Sequence, residues 1–186
     1  MNEPMHLPGD DTPAQRLARI IRVDHAGEYG ARRIYEGQLA VLGRSDKAEL
    51  LRHMHEQELA HLRSFDAMVA DRRVRPTALL PLWHVAGFAL GAVTAALGER
   101  AAMACTVAVE ETIDAHYAAQ EVALEDPALA EQAPELAGTI AAFRAEELEH
   151  RDIGLAHGAE QAPGYRLLSA LIRTGCRVAI KLSERV

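Results

Sequence analysis

Apolar residues recur at helical spacing along most of the chain, and the breaks in that pattern mark where helices end. Ile20, Ile21, Ile34 and Tyr35 follow Thr12-Pro13, an N-cap residue with proline at the first helical position. Gly43 suits the far end, so the spacing predicts a first helix over 13–42. Asp46 with Glu49 three residues on has the capping-box pattern and opens a second helix that Pro76 stops. From Thr77 to Gly98 no residue carries a formal charge. A fourth helical stretch runs from Glu99 to Glu125 and closes at Asp126-Pro127. Residues 126–137 read as a loop, a fifth helix follows over 135–160, and Pro163-Gly164 sets off a last helix ending near Glu184. No run of alternating Val, Ile and Thr argues for a strand. The expectation is an all-α chain whose short connections make consecutive helices neighbours. Residues 1–12 would be a flexible N-terminus before one domain over 13–186.

The inward faces of these helices are unusual. On the first helix the stripe Ile21–Asp24–Glu28–Ala31–Tyr35 puts two acids on the side expected to be buried. Gly27 and Gly30 flank Glu28, and each costs a helix about 1 kcal/mol relative to alanine. Small residues there would let a neighbouring helix or a substrate ring come close. On the second helix Glu58 and His61 share a stripe with Leu51, Met54, Leu62 and Phe65. On the fifth, Glu147 and His150 line up with Ile140, Phe143 and either Ile153 or Gly154. Both pairs are Glu-x-x-His, a spacing that puts two side chains on one helix face. The fourth stretch offers Glu110 beside Met103, Val107, Ile113, Asp114 and Tyr117, with Glu111 the alternative one residue away.

The two halves thus repeat one grammar, a lone inward Glu followed by Glu-x-x-His on the next amphipathic helix. Four carboxylates and two imidazoles meeting in a four-helix core form the ligand set of ferritin-like dinuclear metal proteins. Four buried carboxylates without counter-ions would cost more than a domain's whole stability, whereas two divalent cations neutralise them. Carboxylate with imidazole suits iron or manganese. Glu56, Glu111, Glu146 and Glu149 read as solvated or salt-bridged, and His53, His55, His84 and His157 as ordinary polar residues.

The net charge of −7 lacks the basic footprint of a nucleic-acid binder. Cys105 and Cys176 make no disulfide framework, and the acidic, proline-containing start has no signal-peptide pattern, so a reducing bacterial cytoplasm is expected. The uncharged stretch is long enough to be considered for a membrane span. It holds Pro81, His84 and much alanine and glycine, and a span there would strand half of the ligand set on each side of the bilayer. It should instead pack on the bundle or lie at a membrane surface. Arg166, Arg173, Arg177 and Lys181 form one stripe of the last helix, with Leu168, Leu171, Ile172 and Ile180 on other faces. Together with Trp83 and Phe88 they predict a peripheral face attracted to anionic lipid.

The segments "RIIRVDHAGEYGARRIYEGQLAVLG", "RVRPTALLPLWHVAGFALG", "AMACTVAVEETIDAHY", "AEELEHRDIGLAH" and "GCRVAIKLSERV" closely resemble the demethoxyubiquinone hydroxylase family of ubiquinone biosynthesis. The resemblance covers nearly the whole chain beyond the first dozen residues. It implies a ferritin-like four-helix bundle with additional membrane-facing helices and two iron ions per chain, in preference to manganese. The implied activity is a monooxygenase that hydroxylates the ring of a 2-polyprenyl-3-methyl-6-methoxy-1,4-benzoquinol with dioxygen. The implied place is the cytoplasmic face of the bacterial cell membrane, with other ubiquinone-biosynthesis proteins or a second copy as partners. Family ligands fall on Glu28, Glu58, His61, Glu110, Glu147 and His150, with Glu58 and Glu147 bridging the metals. Tyr117, His116 and Asp24 are candidates for hydrogen bonding to the ligands or for proton delivery. From the residues alone, a ferroxidase, a peroxidase, a manganese catalase or a non-enzymatic iron-binding helical protein remains the alternative.

Overall fold

The computed structural model describes residues 10–186, so the expected flexible N-terminus falls largely outside the described residues. Within them every regular element is a helix. The first, α1, spans Pro13–Leu42 and starts as its sequence predicts. Thr12 accepts from the Gln15 backbone N–H, and the Gln15 side chain accepts in return from the Thr12 backbone, which satisfies two of the free donors of the first turn. α2 (Ala48–Asp71), α3 (Leu80–Ala96) and α4 (Glu99–Leu124) follow. Then come a single turn α5 (Pro127–Ala130), α6 (Pro134–Ala156), a 3-10 turn at Ala159–Gln161, and α7 (Tyr165–Ser183).

Four boundaries differ from the sequence pattern. The Asp46/Glu49 capping box does not form; the helix begins after Lys47, whose N–H is taken by Ser45 Oγ. α2 ends at Asp71 and the chain turns at Arg73 with φ of 52°, before Pro76 is reached. The expected loop over 126–137 contains α5, because Asp126 caps the Ala128 N–H and Pro127 needs no donor at the first position. The fifth predicted helix stops at Ala156, since Gly158 takes the left-handed conformation (φ 82°) that ends it.

α1, α2, α4 and α6 form the four-helix bundle, α1 packing along α2 and α4 along α6. Leu17, Ile21, Phe65, Leu136 and Ile140 fill one end of its core. Leu51, Met54, Met103 and Val107 fill the other. Glu28 on α1 and Glu58 on α2 lie midway between these two apolar clusters, so the polar layer is sealed above and below. The uncharged stretch packs against α1, as expected, and no helix among the described residues is long and apolar enough to cross a membrane. Glycines make that contact possible. A methyl group at Gly91 would overlap the Ile34 carbonyl oxygen, and one at Gly37 would overlap that of Phe88. α7 rests on α4 and completes the outer layer.

Candidate metal centre

Each lone glutamate is carried inward by a helix whose flanking positions are apolar and buried. Ile21, Ala31 and Tyr35 bury the stripe of Glu28; Met103, Val107 and Tyr117 bury that of Glu110. The Glu-x-x-His pairs of α2 and α6 enter from the opposite side. All six residues are 1% exposed or less.

They assemble as two overlapping quartets. Glu28, Glu58, His61 and Glu147 bring one ligand atom each to within 4.8 Å of one another, and so do Glu58, Glu110, Glu147 and His150. Glu58 and Glu147 belong to both. His61 Nδ1 lies 3.1 Å from Glu147 Oε1 and 3.3 Å from Glu28 Oε2. His150 Nδ1 lies 3.3 Å from both Glu58 Oε1 and Glu147 Oε2. Glu111 pairs with Arg173, whereas Glu110 joins the second quartet. That pairing also removes Arg173 from the free basic stripe expected on α7, of which Arg166, Arg177 and Lys181 stay exposed.

The charges in this layer are far from their ordinary state. Burial, followed by the charge of Glu147, pushes Glu58 and Glu110 well above the usual carboxylate range. Burial also raises Glu28, against the pull of the neighbouring His61 imidazole. For Glu147 burial acts upward as well, but the imidazoles of His150 and His61 beside it outweigh it and hold the carboxyl down at about 2. Burial opposes protonation of His61, yet Glu147 and Glu28 pull its pKa up to about 12. Both oxygens of Glu58, one each of Glu28, Glu110 and Glu147, and His150 Nδ1 have no hydrogen-bond partner. Buried polar atoms are rarely left so, and six of them converging on one point fit cations, which would occupy all of them at once. Two divalent cations balance the four carboxylates, so the donor set fits a dinuclear metal centre.

The surroundings repeat across the two halves. Tyr35 on α1 donates to Glu110 Oε1 (3.0 Å), and Tyr117 on α4 donates to Glu28 Oε1. Each tyrosine sits two turns beyond its own helix's lone glutamate, so Glu-x6-Tyr is the sequence signal for this crossed pair. Only Tyr117 stood out from the sequence as a hydrogen-bonding group. Burial drives both phenols well above their ordinary pKa, which keeps them donors. Of the other two candidates, Asp24 is buried and accepts from Gln120 Nε2 (2.7 Å), with His116 Nε2 3.3 Å away. Burial raises the Asp24 pKa against the pull of His116 and Gln120. Neither Asp24 nor His116 makes a hydrogen bond or ion pair with a member of the quartets. Glu146, read from the sequence as solvated or salt-bridged, reaches inward: its carboxylate accepts from His61 Nε2 (3.0 Å) and from Gln57 Nε2 (3.2 Å).

Beside the centre lies a cavity of about 560 Å³ between α1, α3, α4 and α7, its walls almost wholly apolar. Gly27, Gly30 and Val109 line it, on the same helical turns that carry Glu28 and Glu110. A methyl group at Gly27 or Gly30 would meet nothing within 4 Å. These two glycines therefore widen the cavity, while the close helix approach falls to Gly37, Gly87 and Gly91. Trp83 lines the same cavity and donates to Ser183 Oγ of α7, and Phe88 lies under the Arg33 guanidinium.

A family profile described as ubiquinone biosynthesis protein COQ7 matches residues 15–183. A 3-demethoxyubiquinol 3-hydroxylase of Rhodospirillum rubrum is 61% identical over 97% of this chain and 83% of its own. An NADPH-dependent 3-demethoxyubiquinone 3-hydroxylase, mitochondrial, of Homo sapiens is 56% identical over 95% of this chain and 81% of its own. A mitochondrial 5-demethoxyubiquinone hydroxylase of Saccharomyces cerevisiae is 40% identical over 99% and 86%.

Proposed function

The chain belongs to the COQ7 family of ubiquinone biosynthesis proteins and hydroxylates a demethoxyubiquinol ring; we propose that it does so with two iron ions held by Glu28, Glu58, His61, Glu110, Glu147 and His150. The observation that carries this reading is the pair of buried quartets sharing Glu58 and Glu147, which is what a carboxylate-bridged dinuclear centre requires. Iron bound there supplies the activation of dioxygen that aromatic hydroxylation needs. One oxygen atom enters the ring in place of hydrogen and the other leaves as water, so each turnover draws two electrons and two protons from outside.

The chain's own residues do the rest. Tyr35 and Tyr117 hold protons against Glu110 and Glu28 and thereby fix the direction of each carboxylate. The apolar cavity beside Gly27, Gly30 and Val109 takes the quinol ring, excludes water and sets it against the turns bearing Glu28 and Glu110. Asp24, with Gln120 and the partly exposed His116, gives protons a route inward along α1. A polyprenyl tail leaves the cavity between α3 and α7, where Leu82, Val85, Leu167 and Leu171 are more than half exposed. That rim, with Arg166, Arg177 and Lys181, supports a peripheral enzyme at the cytoplasmic face of the bacterial membrane, the chain forming one domain over 13–186. A second copy or other ubiquinone-biosynthesis proteins would share the same surface.

The test is iron content and product together. Purified protein with ferrous iron, dioxygen, a reductant and a demethoxyubiquinol should form the hydroxylated quinol. Glu147→Ala, which removes a ligand from both positions, should lower that rate by at least roughly 100-fold with helicity unchanged. A fully active Glu147→Ala protein free of iron would end the assignment.

A further inference from the structure

The residue that precedes each shared glutamate reaches across the bundle to the other helix's histidine. Gln57, before Glu58 on α2, accepts at Oε1 from His150 Nε2 on α6 (2.9 Å). Glu146, before Glu147 on α6, accepts at Oε2 from His61 Nε2 on α2 (3.0 Å). Gln57 Nε2 then donates to that same Glu146 oxygen (3.2 Å), closing the two contacts into one chain. The amide can serve both neighbours in only one orientation, oxygen toward His150 and nitrogen toward Glu146; reversed, it would set N–H against N–H. With both Nε2 atoms committed outward, each imidazole turns Nδ1 toward the shared carboxylates. Phe143 stacks on His61 with ring centroids 4.0 Å apart, which holds that ring's plane as well.

The two halves differ here in one atom type. His61 leans on a carboxylate and His150 on a neutral amide, although the positions are equivalent in the repeat. A carboxylate behind an imidazole makes it a stronger donor to a cation than an amide does.

We propose that Gln57 and Glu146 are positioning residues: together they fix both histidines with Nδ1 toward the metals, and by differing in charge they make the two metal positions unequal, the His61 position binding the more tightly. This rests on the dinuclear reading above, and it adds that the centre is asymmetric by construction from outside the ligand set. Glu146 is 40% exposed at its side chain and Gln57 half-buried, so both can be changed without opening the core.

The experiment is anaerobic titration of the full chain with ferrous iron, followed by Mössbauer spectra of the loaded protein. The unaltered chain should take up two irons in distinguishable steps and show two unlike ferrous components. Glu146→Gln should weaken one step by roughly 10- to 100-fold and draw its component toward the other. Gln57→Leu should perturb the other component. The exchange variant Glu146→Gln/Gln57→Glu rebuilds the contacts with opposite polarity and should restore two unlike components. Unchanged affinities and unchanged spectra in both single variants would overturn the clamp, and Gln57→Leu decides alone if Glu146→Gln does not fold. If the unaltered chain takes up no iron, the dinuclear reading itself fails and the clamp with it.

Discussion

Tyr35 and Tyr117 bear on stability as much as on chemistry, because each satisfies one oxygen of a carboxyl that has no other protein donor at that atom. Removing a hydroxyl leaves a buried acceptor unpaired, a loss of about 1–3 kcal/mol. Tyr35→Phe should therefore lower the unfolding free energy of the metal-free protein by that amount in urea denaturation, with Tyr117→Phe close to it. Unchanged midpoints would mean that these hydroxyls do not carry the layer. The six ligand-type residues were legible in the sequence because Glu and His stood on faces otherwise apolar. Tyr35 was placed on the buried stripe, but its partner was hidden, since a phenol on an apolar face looks the same whether or not a carboxyl waits opposite. Gln57 and Glu146 were harder still. They sit at the edges of their helices' inward faces, where a polar side chain is the ordinary occupant, and only the helix opposite gives them a task.

At the scale of the elements, glycine separates two kinds of close approach that sequence alone merges. Gly27 and Gly30 open onto the cavity, whereas Gly37, Gly87 and Gly91 sit where α1 and α3 touch backbone to backbone. Substitution should split them cleanly. Gly27→Ala and Gly30→Ala should each stabilise the fold by about 1 kcal/mol through helix propensity, while raising KM for the quinol by narrowing the cavity. Gly91→Ala must push two helices apart and should destabilise by about 1–3 kcal/mol. Thermal unfolding together with quinol kinetics checks both halves, and a destabilised Gly27→Ala would contradict the open space seen beside it. The helices themselves were readable from caps and prolines at α1, at the end of α4 and at the start of α7. Where the reading failed, local signals competed: Ser45 capped the Lys47 N–H and the helix opened after Lys47, one residue past Asp46, and Asp126-Pro127 nucleated a turn inside a predicted loop. The partner of α3 was the least legible feature, because an evenly apolar helix does not declare which side its neighbour occupies.

At the scale of the whole molecule, the buried layer couples folding, protons and metal. In the metal-free chain Glu58, Glu110 and Glu28 are raised above their ordinary 4.5, chiefly by burial. Between that value and the raised ones the folded chain binds more protons than the unfolded one, so the stability they confer is full at low pH and is lost as pH rises. His61, drawn from 6.5 up to about 12 against its burial by Glu147 and Glu28, has the same sign above 6.5. Glu147 has the opposite sign, but its window lies between 4.5 and about 2, below the range in question. From about pH 5 to about pH 8 the metal-free protein should therefore grow less stable, by up to ~1.4 kcal/mol per pH unit for each fully linked group. Metal binding runs the other way, since cations displace those protons and bind more tightly as pH rises. The Tm gap between ferrous-loaded and metal-free protein should consequently widen with pH across this range, as read by calorimetry on both forms. A gap that stayed constant or narrowed would mean that these carboxylates are not held protonated in the empty bundle. The lone glutamates would then need some other source of neutrality than the cations that the two quartets are built to hold.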